Sequence, residues 1–240
     1  MIAAIHQPQF MPWLGYFDKM DRADCFILLD TVQYKKNEWQ NRNRIKTVQG
    51  PQWLTVPVRF RHPAGIREVQ VNEADNWRHR HWQSLLTNYA RAPYWEAVRP
   101  HLTALYERPW ERLAELNRAT LELLRCRLGI GTPLLWASEL EGIGDDPTGR
   151  LVDLCRAVGA ETYLSGADGA SYMQLEQFAA AGIEVVFQAY AHPQYPQRFG
   201  DFLSHLSTLD LVLNCGPGSL EILRRGRDTA AGGPSEEHAT

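Results

Sequence analysis

The chain has 240 residues, 44% of them apolar, and a net charge of −3. That is enough to build one large domain with a sizeable core, or one domain carrying an insertion. The charge balance offers no bulk electrostatic case for nucleic acid. Cys25, Cys126, Cys155 and Cys215 are scattered with no CxxC pair, a spacing that argues against a structural zinc site. Cys25, Cys155 and Cys215 stand in apolar context and read as buried thiols of a cytosolic protein. No apolar run approaches a signal-peptide core or the roughly 20 residues of a membrane span. The expectation is therefore a cytoplasmic protein with no membrane partner and no metal.

In chain order, residues 2–5 form a short apolar run, a candidate buried strand. Pro8 and Pro12 break the chain. "WLGYFDKMDRA" then reads as a short helix and "DCFILLD" as a second buried strand ending at Asp30. Strand, polar loop, helix, strand is a βαβ unit with a parallel sheet. Ligands of such sheets gather at the carboxyl ends of the strands, where His6 and Asp30 both stand. "QYKKNEWQNRNRIKTVQGPQ" follows as a long polar, aromatic and basic loop. "WLTVPVRF" reads as a strand with "GIREVQVN" as its partner, and Pro57 marks an edge or a bulge.

From residue 76 to 128 the pattern turns helical, with Asn76 as N-cap and Trp82, Leu85, Leu86 and Tyr89 on one face. The α/β pattern resumes after Gly131. "TPLLWASEL" reads as a strand and "DPTGRLVDLCRAVGA" as a helix starting near Asp146. "TYLSG" is a strand entering the turn "SGADGAS", and "YMQLEQFAAAG" a helix. "IEVVFQAY" is a strand and "LSTLDLVLNCGPG" a last helix. The tail, residues 228–240, is small, polar and expected to be disordered.

Four constellations carry chemistry. His6 is a candidate general acid or base, because imidazole titrates near pH ~6.5; its plain alternative is a strand-end hydrogen bond. Gln7 and Gln9 would orient a ligand. "QYKKNEWQNRNRI" sets Lys35, Lys36, Arg42 and Arg44 among Tyr34, Trp39, Asn41 and Asn43. Guanidinium and ammonium groups suit phosphate or carboxylate, and the interleaved rings suit a nucleobase or sugar face. The alternative is a solvated loop with one aromatic anchor. "SGADGAS" offers Ser165, Gly166, Gly169 and Ser171 before a helix, a weak anion-site signal that matches neither Walker A nor GxGxxG. "AHPQYPQRFG", with His192, Tyr195, Gln197 and Arg198, is a further wall. His79 and His81 point about 200° apart on a helix and cannot share a metal. No carboxylate pair stands out. Asp30 is the best single carboxylate, with tethering of the next loop as its plain role.

"HQPQFMPWLGYFDKM", "FILLDTVQYKKNEWQNRNRIKT", "GPQWLTVPV", "YLSGADGASYM" and "YPQ", in this order, resemble the WbqC-like family over about residues 1–218. Members are associated with bacterial surface-polysaccharide and antibiotic gene clusters. The resemblance implies action on amino sugars, or transfer of acyl or aminoacyl groups. The residues carried over by position are His6, Gln7, Asp30, Gln33, Tyr34, Lys36, Trp39, Asn41, Arg42, Asn43, Ser165, Gly166 and Tyr195, and the resemblance gives none of them a role. A more distant likeness is to adenylate-forming nucleotidyltransferases and pantothenate synthetases, which place His-x-Gly-His at the loop–helix junction. Here "WLGY" keeps the glycine as Gly15, while Trp13 and Tyr16 replace both histidines. Neither can supply the phosphate-charge stabilisation those histidines give.

The resulting expectation is an α/β fold: a mostly parallel sheet with flanking helices, nucleotidyltransferase-like in its opening, as a single domain over residues 1–227 with a helical insertion at about 76–128. One cleft at the strand ends would gather His6, Asp30, the 34–44 loop, the 165–171 turn and the 192–198 loop. The leading activity is acyl or aminoacyl transfer to an amine on an amino sugar or related metabolite. His6 takes the proton, Arg42 and Lys36 hold the phosphates of a nucleotide sugar or a phosphopantetheine arm, and Trp39 and Tyr34 pack on a ring. The alternatives are a non-catalytic scaffold for an acyl carrier protein or glycosyltransferase, and ATP- or CTP-dependent nucleotidyl transfer. No sequence feature identifies a cofactor.

Overall fold

The structure, a computed structural model, describes the backbone of residues 1–230 and the side chains of residues 1–227. The elements run β1 (Ile2–His6), α1 (Leu14–Asp21), β2 (Cys25–Leu28), β3 (Arg42–Thr47), β4 (Gly50–Thr55), β5 (Val58–Arg59), β6 (Gln70–Val71), α2 (Trp77–Tyr89), α3 (Trp95–Glu107), α4 (Leu113–Leu128), β7 (Leu134–Trp136), α5 (Pro147–Ala157), β8 (Thr162–Ser165), α6 (Leu175–Ala180), β9 (Glu184–Phe187), α7 (Thr208–Cys215) and α8 (Ser219–Ala230). A five-stranded sheet has the order β7-β2-β1-β8-β9, and every pairing is parallel. The short apolar runs of β1 and β2 suit this sheet because both of its faces are covered. Ala4, Phe26, Leu28 and Leu164 face a core shared with α1, α4 and α7. Ala3, Ile5, Ile27 and Tyr163 face α5 and α6, with Tyr163 stacked on Phe178 at 5.4 Å.

Strand order decides where a ligand can sit. From β1 the chain moves to β2 on one side, while β8 continues to β9 on the other. The switch point therefore lies between β1 and β8, where α/β sheets open a crevice beyond the strand ends. The β1–β8 ladder stops at Ala4–Leu164, whereas β1–β2 continues to His6–Leu28. His6 thus stands at the end of the central strand, with its β8 side no longer occupied by a ladder.

Several local expectations are corrected. β2 ends at Leu28, so Asp30 lies two residues beyond it. The expected polar loop contains a full strand, β3, paired antiparallel to β4 with Arg44 opposite Trp53. "WLTVPVRF" is not one strand: it is split around Pro57 into the end of β4 and the short β5, and β5 pairs with β6 inside the expected partner segment. Periodicity missed β3 because its inward positions include Asn43, a polar residue serving a buried loop. The "SGADGAS" turn leads into a 3-10 turn, Ala167–Ser171, rather than an α-helix start. Asn76 precedes α2 without making a side-chain cap, while Asp146 caps α5 by accepting from the Gly149 amide at 2.6 Å. Cys215 is half-buried rather than buried.

A further helix, α8, follows the one expected to be last. Its backbone extends to Ala230, three residues into the segment expected as a tail; residues 231–240 lie outside the described residues. Its arginines clamp α1. Arg224 binds both carboxylate oxygens of Asp21 at 2.8 and 2.9 Å, and Arg227 reaches Asp18 at 2.5 Å.

Candidate functional site

His6 sits partly exposed over α1, its ring 4.6 Å from that of Tyr16. Its Nδ1 lies 3.2 Å from the Gln7 carbonyl. A carbonyl only accepts, so Nδ1 carries the proton in that bond and a neutral ring keeps its lone pair on Nε2. Burial, and secondarily the neighbouring Lys19, holds the imidazole pKa well below its usual range. At neutral pH the ring is therefore a free base.

Lys19 was not marked by the sequence reading. α1 is buried over almost its whole length, charged residues included, and Lys19 is only 2% exposed. Its ammonium donates to the carbonyl of Ile5 at 3.1 Å. Burial brings its pKa down from 10.5 to about 7. Between those values the unfolded chain holds more protons than the folded one, so this residue's contribution to stability rises with pH from about 7 to 10.5. Lys19→Met should raise the melting temperature most at and below pH 7, with the gain fading by pH 10.5. Paired thermal melts of variant and parent across that range check it.

The loop after β1 is held by side chains from distant segments. Gln40 donates to the Gln7 side chain at 2.7 Å. Asn43 donates to the Met11 carbonyl at 2.8 Å. Asn117, fully buried in α4, bridges the carbonyls of Pro8 and Gln40 at 3.1 and 2.8 Å. The amide of Phe10 donates to the Trp39 carbonyl at 3.2 Å. Met11 itself is left-handed, with φ 44°, a strained conformation that persists only where surrounding bonds impose it. The polar stretch that follows the first apolar run is thus the core of a cross-linked loop. Asn117→Ala strands two buried carbonyls and should cost about 1–3 kcal/mol, read as a lower urea midpoint with an unchanged slope.

Other sequence-marked residues fall into separate surroundings. Asp30 accepts from the amide and hydroxyl of Ser138 at 3.0 and 2.7 Å, the tethering arrangement. Gln33 meets His62 at 3.1 Å. Tyr34 is 3% exposed and packs edge-on to Phe60 at 4.9 Å. That burial pushes its hydroxyl pKa up to about 12, and its ring is not presented to a ligand. Asn41 donates to the Val56 carbonyl at 2.9 Å. Ser165 is fully buried and shares the Tyr163 face of the sheet by strand alternation, opposite the face of Ala4 and His6. Gly166, by contrast, has open space at its Cα. Tyr195 is buried beside Asp210 without a well-formed bond to it. The Asp210 carboxyl, raised in pKa by burial, accepts from Tyr89 at 2.7 Å. His81 is buried and bonds the Thr55 carbonyl at 3.1 Å, while His79 is exposed.

Lys36 and Trp39 are exposed. Trp39 joins an outward face of the β3–β4 hairpin that includes Arg42, Arg44 and Trp53. The two indoles are 5.4 Å apart. Arg42 lies 4.3 Å over Trp53, and Arg44 is 5.6 and 5.8 Å from the two indoles. Arg44 also donates to the His205 carbonyl at 3.3 Å. The His205 ring stacks on Trp13 at 5.1 Å, and Trp13 lies parallel to His192 at 6.3 Å. Gly15 makes this possible: a Cβ there would meet the Trp13 indole at 2.3 Å. The glycine of "WLGY" serves an aromatic stack.

The expected single cleft is therefore divided. His6, Gln7, the 39–44 segment and, through Trp13, the 192–205 loop are connected; Asp30 is bonded to Ser138, and the Ser165 side chain is buried on the other face of the sheet. Two clefts lie apart from His6. One of about 530 Å³ is lined by α2 and α3 residues including Arg78, Trp82 and Arg99, and one of about 720 Å³ by residues 59–64 with Glu68 and Gln70. Among the described residues no group of three or more His, Cys, Asp or Glu could hold a metal ion, and no helix is long and apolar enough to cross a membrane.

The WbqC-like protein family model matches residues 7–222. An uncharacterized protein of Mycobacterium tuberculosis (strain ATCC 25618 / H37Rv) is 38% identical over 225 residues, covering 92% of this chain and 96% of that protein. No solved structure matches.

Proposed function

The chain belongs to the WbqC-like family, and from that premise we propose that it is a transferase moving an acyl or aminoacyl group to the amine of an amino sugar or related metabolite. The observation that carries the reading is the neutral imidazole of His6, its Nε2 lone pair free, at the end of the central strand beside the switch point of the sheet. In the reaction the amine nitrogen attacks the thioester carbonyl. A C–N bond forms and the C–S bond breaks. His6 Nε2 accepts the ammonium proton and returns it to the departing thiolate. Asp30 acts at a distance, holding the β2 end through Ser138. The pinned Gln7–Pro12 loop sets the imidazole's position, the kind of fixed geometry such transfer needs.

Nucleotidyl transfer has less support. Trp13 and Tyr16, where that chemistry wants histidines, are committed to packing and to a hydrogen bond with the Gln7 carbonyl at 3.1 Å. The test is direct. Purified protein is incubated with acetyl- or glycyl-thioesters and hexosamines, with thiol release and N-acylated product followed by mass spectrometry. Product that requires His6 supports the proposal. Absence of product across thioesters, together with AMP or pyrophosphate release from ATP and Mg²⁺, overturns it.

A further inference from the structure

Arg42 and Arg44 stand two residues apart on β3 and so project from one face of the hairpin. Trp53 lies directly across the ladder from Arg44, and Trp39 closes the other side. Both indoles are more than a third exposed, Trp39 at 36% and Trp53 at 41%. Neither arginine forms an ion pair among the described residues. Arg42 donates to the Asn37 carbonyl and Arg44 to that of His205. The Nε–H of each is shielded from water and has no acceptor. Each arginine is partly exposed as a whole, so an anion would meet the terminal nitrogens of its fork, where no carboxylate competes. Lys35 and Lys36 are exposed on the adjoining loop, with Glu38 the one acidic side chain of that segment.

From these observations we infer that the Trp39–Arg42–Arg44–Trp53 face binds a nucleoside diphosphate ester. Its base stacks on the indoles, its diphosphate lies on the two guanidiniums, and its esterified group is directed along the Trp13–His192 stack beside the His6 loop. Trp39, Arg44, Trp53 and Arg42 alternate ring and guanidinium, with 5.8, 5.6 and 4.3 Å between successive groups. A planar base joined to two phosphates matches that alternation; a free sugar or a lone phosphate meets only half of it. Arg forks suit diphosphate oxygens bidentately, and indole faces accept a base with little regard to its identity. The inference rests on the proposed acyl transfer for the direction of the ester, and on the hairpin alone for the base and diphosphate. Two sources share this chemistry: a nucleotide-linked hexosamine as acceptor, and coenzyme A as donor.

Isothermal titration of the full chain tests it with UDP, UDP-N-acetylglucosamine, coenzyme A, inorganic pyrophosphate and uridine. UDP should bind at least tenfold more tightly than pyrophosphate or uridine. Arg42→Ala and Arg44→Ala should each weaken it by about 10–100-fold, and Trp53→Leu by about tenfold, with unchanged melting temperatures. Arg44→Lys keeps the charge and the fold but loses the fork, and should recover only part of the affinity. Whichever of UDP-N-acetylglucosamine and coenzyme A binds more tightly than UDP identifies the source. Failure of every nucleotide to bind at millimolar concentration overturns the inference, as does binding indifferent to Arg42→Ala and Arg44→Ala. A single-stranded oligonucleotide that binds more than tenfold tighter than UDP, with a steep salt dependence, overturns it in favour of nucleic acid. His6→Gln should bind UDP normally. Nucleotide binding without any acyl transfer would thus remove the proposed reaction and leave this site, and transfer indifferent to both arginine variants would do the reverse.

Discussion

His6→Gln should lower acyl-transfer turnover by about 10²–10⁴-fold, the usual worth of a positioned general base, with little change in melting temperature. Glutamine keeps a side chain of similar reach and polarity but cannot accept a proton. A loss below tenfold would remove His6 from the base role. The pH profile adds a second constraint. Because burial and Lys19 depress the His6 pKa, the acid limb of kcat/KM should fall well below pH 6.5. Lys19→Met takes away the smaller of the two causes, so the limb should move up only part of the way. An acid limb at or above pH 6.5 in the parent protein would mean that the titrating base is a different group.

Asp18→Ala should be the most destabilising single change on the α1 side of the molecule. The carboxylate is fully buried and accepts from Arg227 at 2.5 Å and from the Gln188 side chain at 2.7 Å. Removing it takes one of its two carboxylate partners from the Arg227 guanidinium, which keeps Asp21, and one of two acceptors from the Gln188 amide, which keeps the Gly15 carbonyl. Breaking a buried pair in this way costs about 3–5 kcal/mol. For a chain of this size each kcal/mol is worth about 2–4 °C, so the melting temperature should drop by roughly 6–20 °C. Asp21→Ala is the comparison. Asp21 also pairs with Arg224 and Arg227, but Arg224 is half-exposed, so solvent compensates and the loss should be smaller. Equal losses in the two variants would show that α8 docks by apolar burial, through residues such as Leu223, rather than through the ion pairs.

The contrast between α1 and α8 shows what can be read along the chain. α1 follows a proline break and lies between two short apolar runs, so its place between parallel strands is a local signal. "SLEILRRGR" carries helix-forming residues too, but nothing nearby says what its arginines answer. Their partners are Asp18 and Asp21, some 200 residues earlier. Similarly, Asn43 in a strand and Asn117 in a helix look like polar interruptions of an apolar pattern. Their purpose is visible only when the carbonyls of Pro8, Met11 and Gln40 come against them. Lys19 would have been legible as a charged residue on an apolar helix, had α1 been recognised as buried on every side.

Apolar runs, proline breaks and the family motifs determine by themselves the parallel α/β sheet, the helical stretch before β7 and the prominence of His6 and the basic-aromatic segment. These are local properties of composition and period, fixed before any long-range contact forms. The tertiary structure decides the rest. It places the switch point between β1 and β8, turns Ser165 to the face opposite His6, and buries Tyr34 while leaving Trp39 and Trp53 exposed. It also joins Arg42 and Arg44 to a second indole across a hairpin. Strand alternation and cross-strand register set which way each of these side chains points, and register depends on partners that the chain meets only when folded.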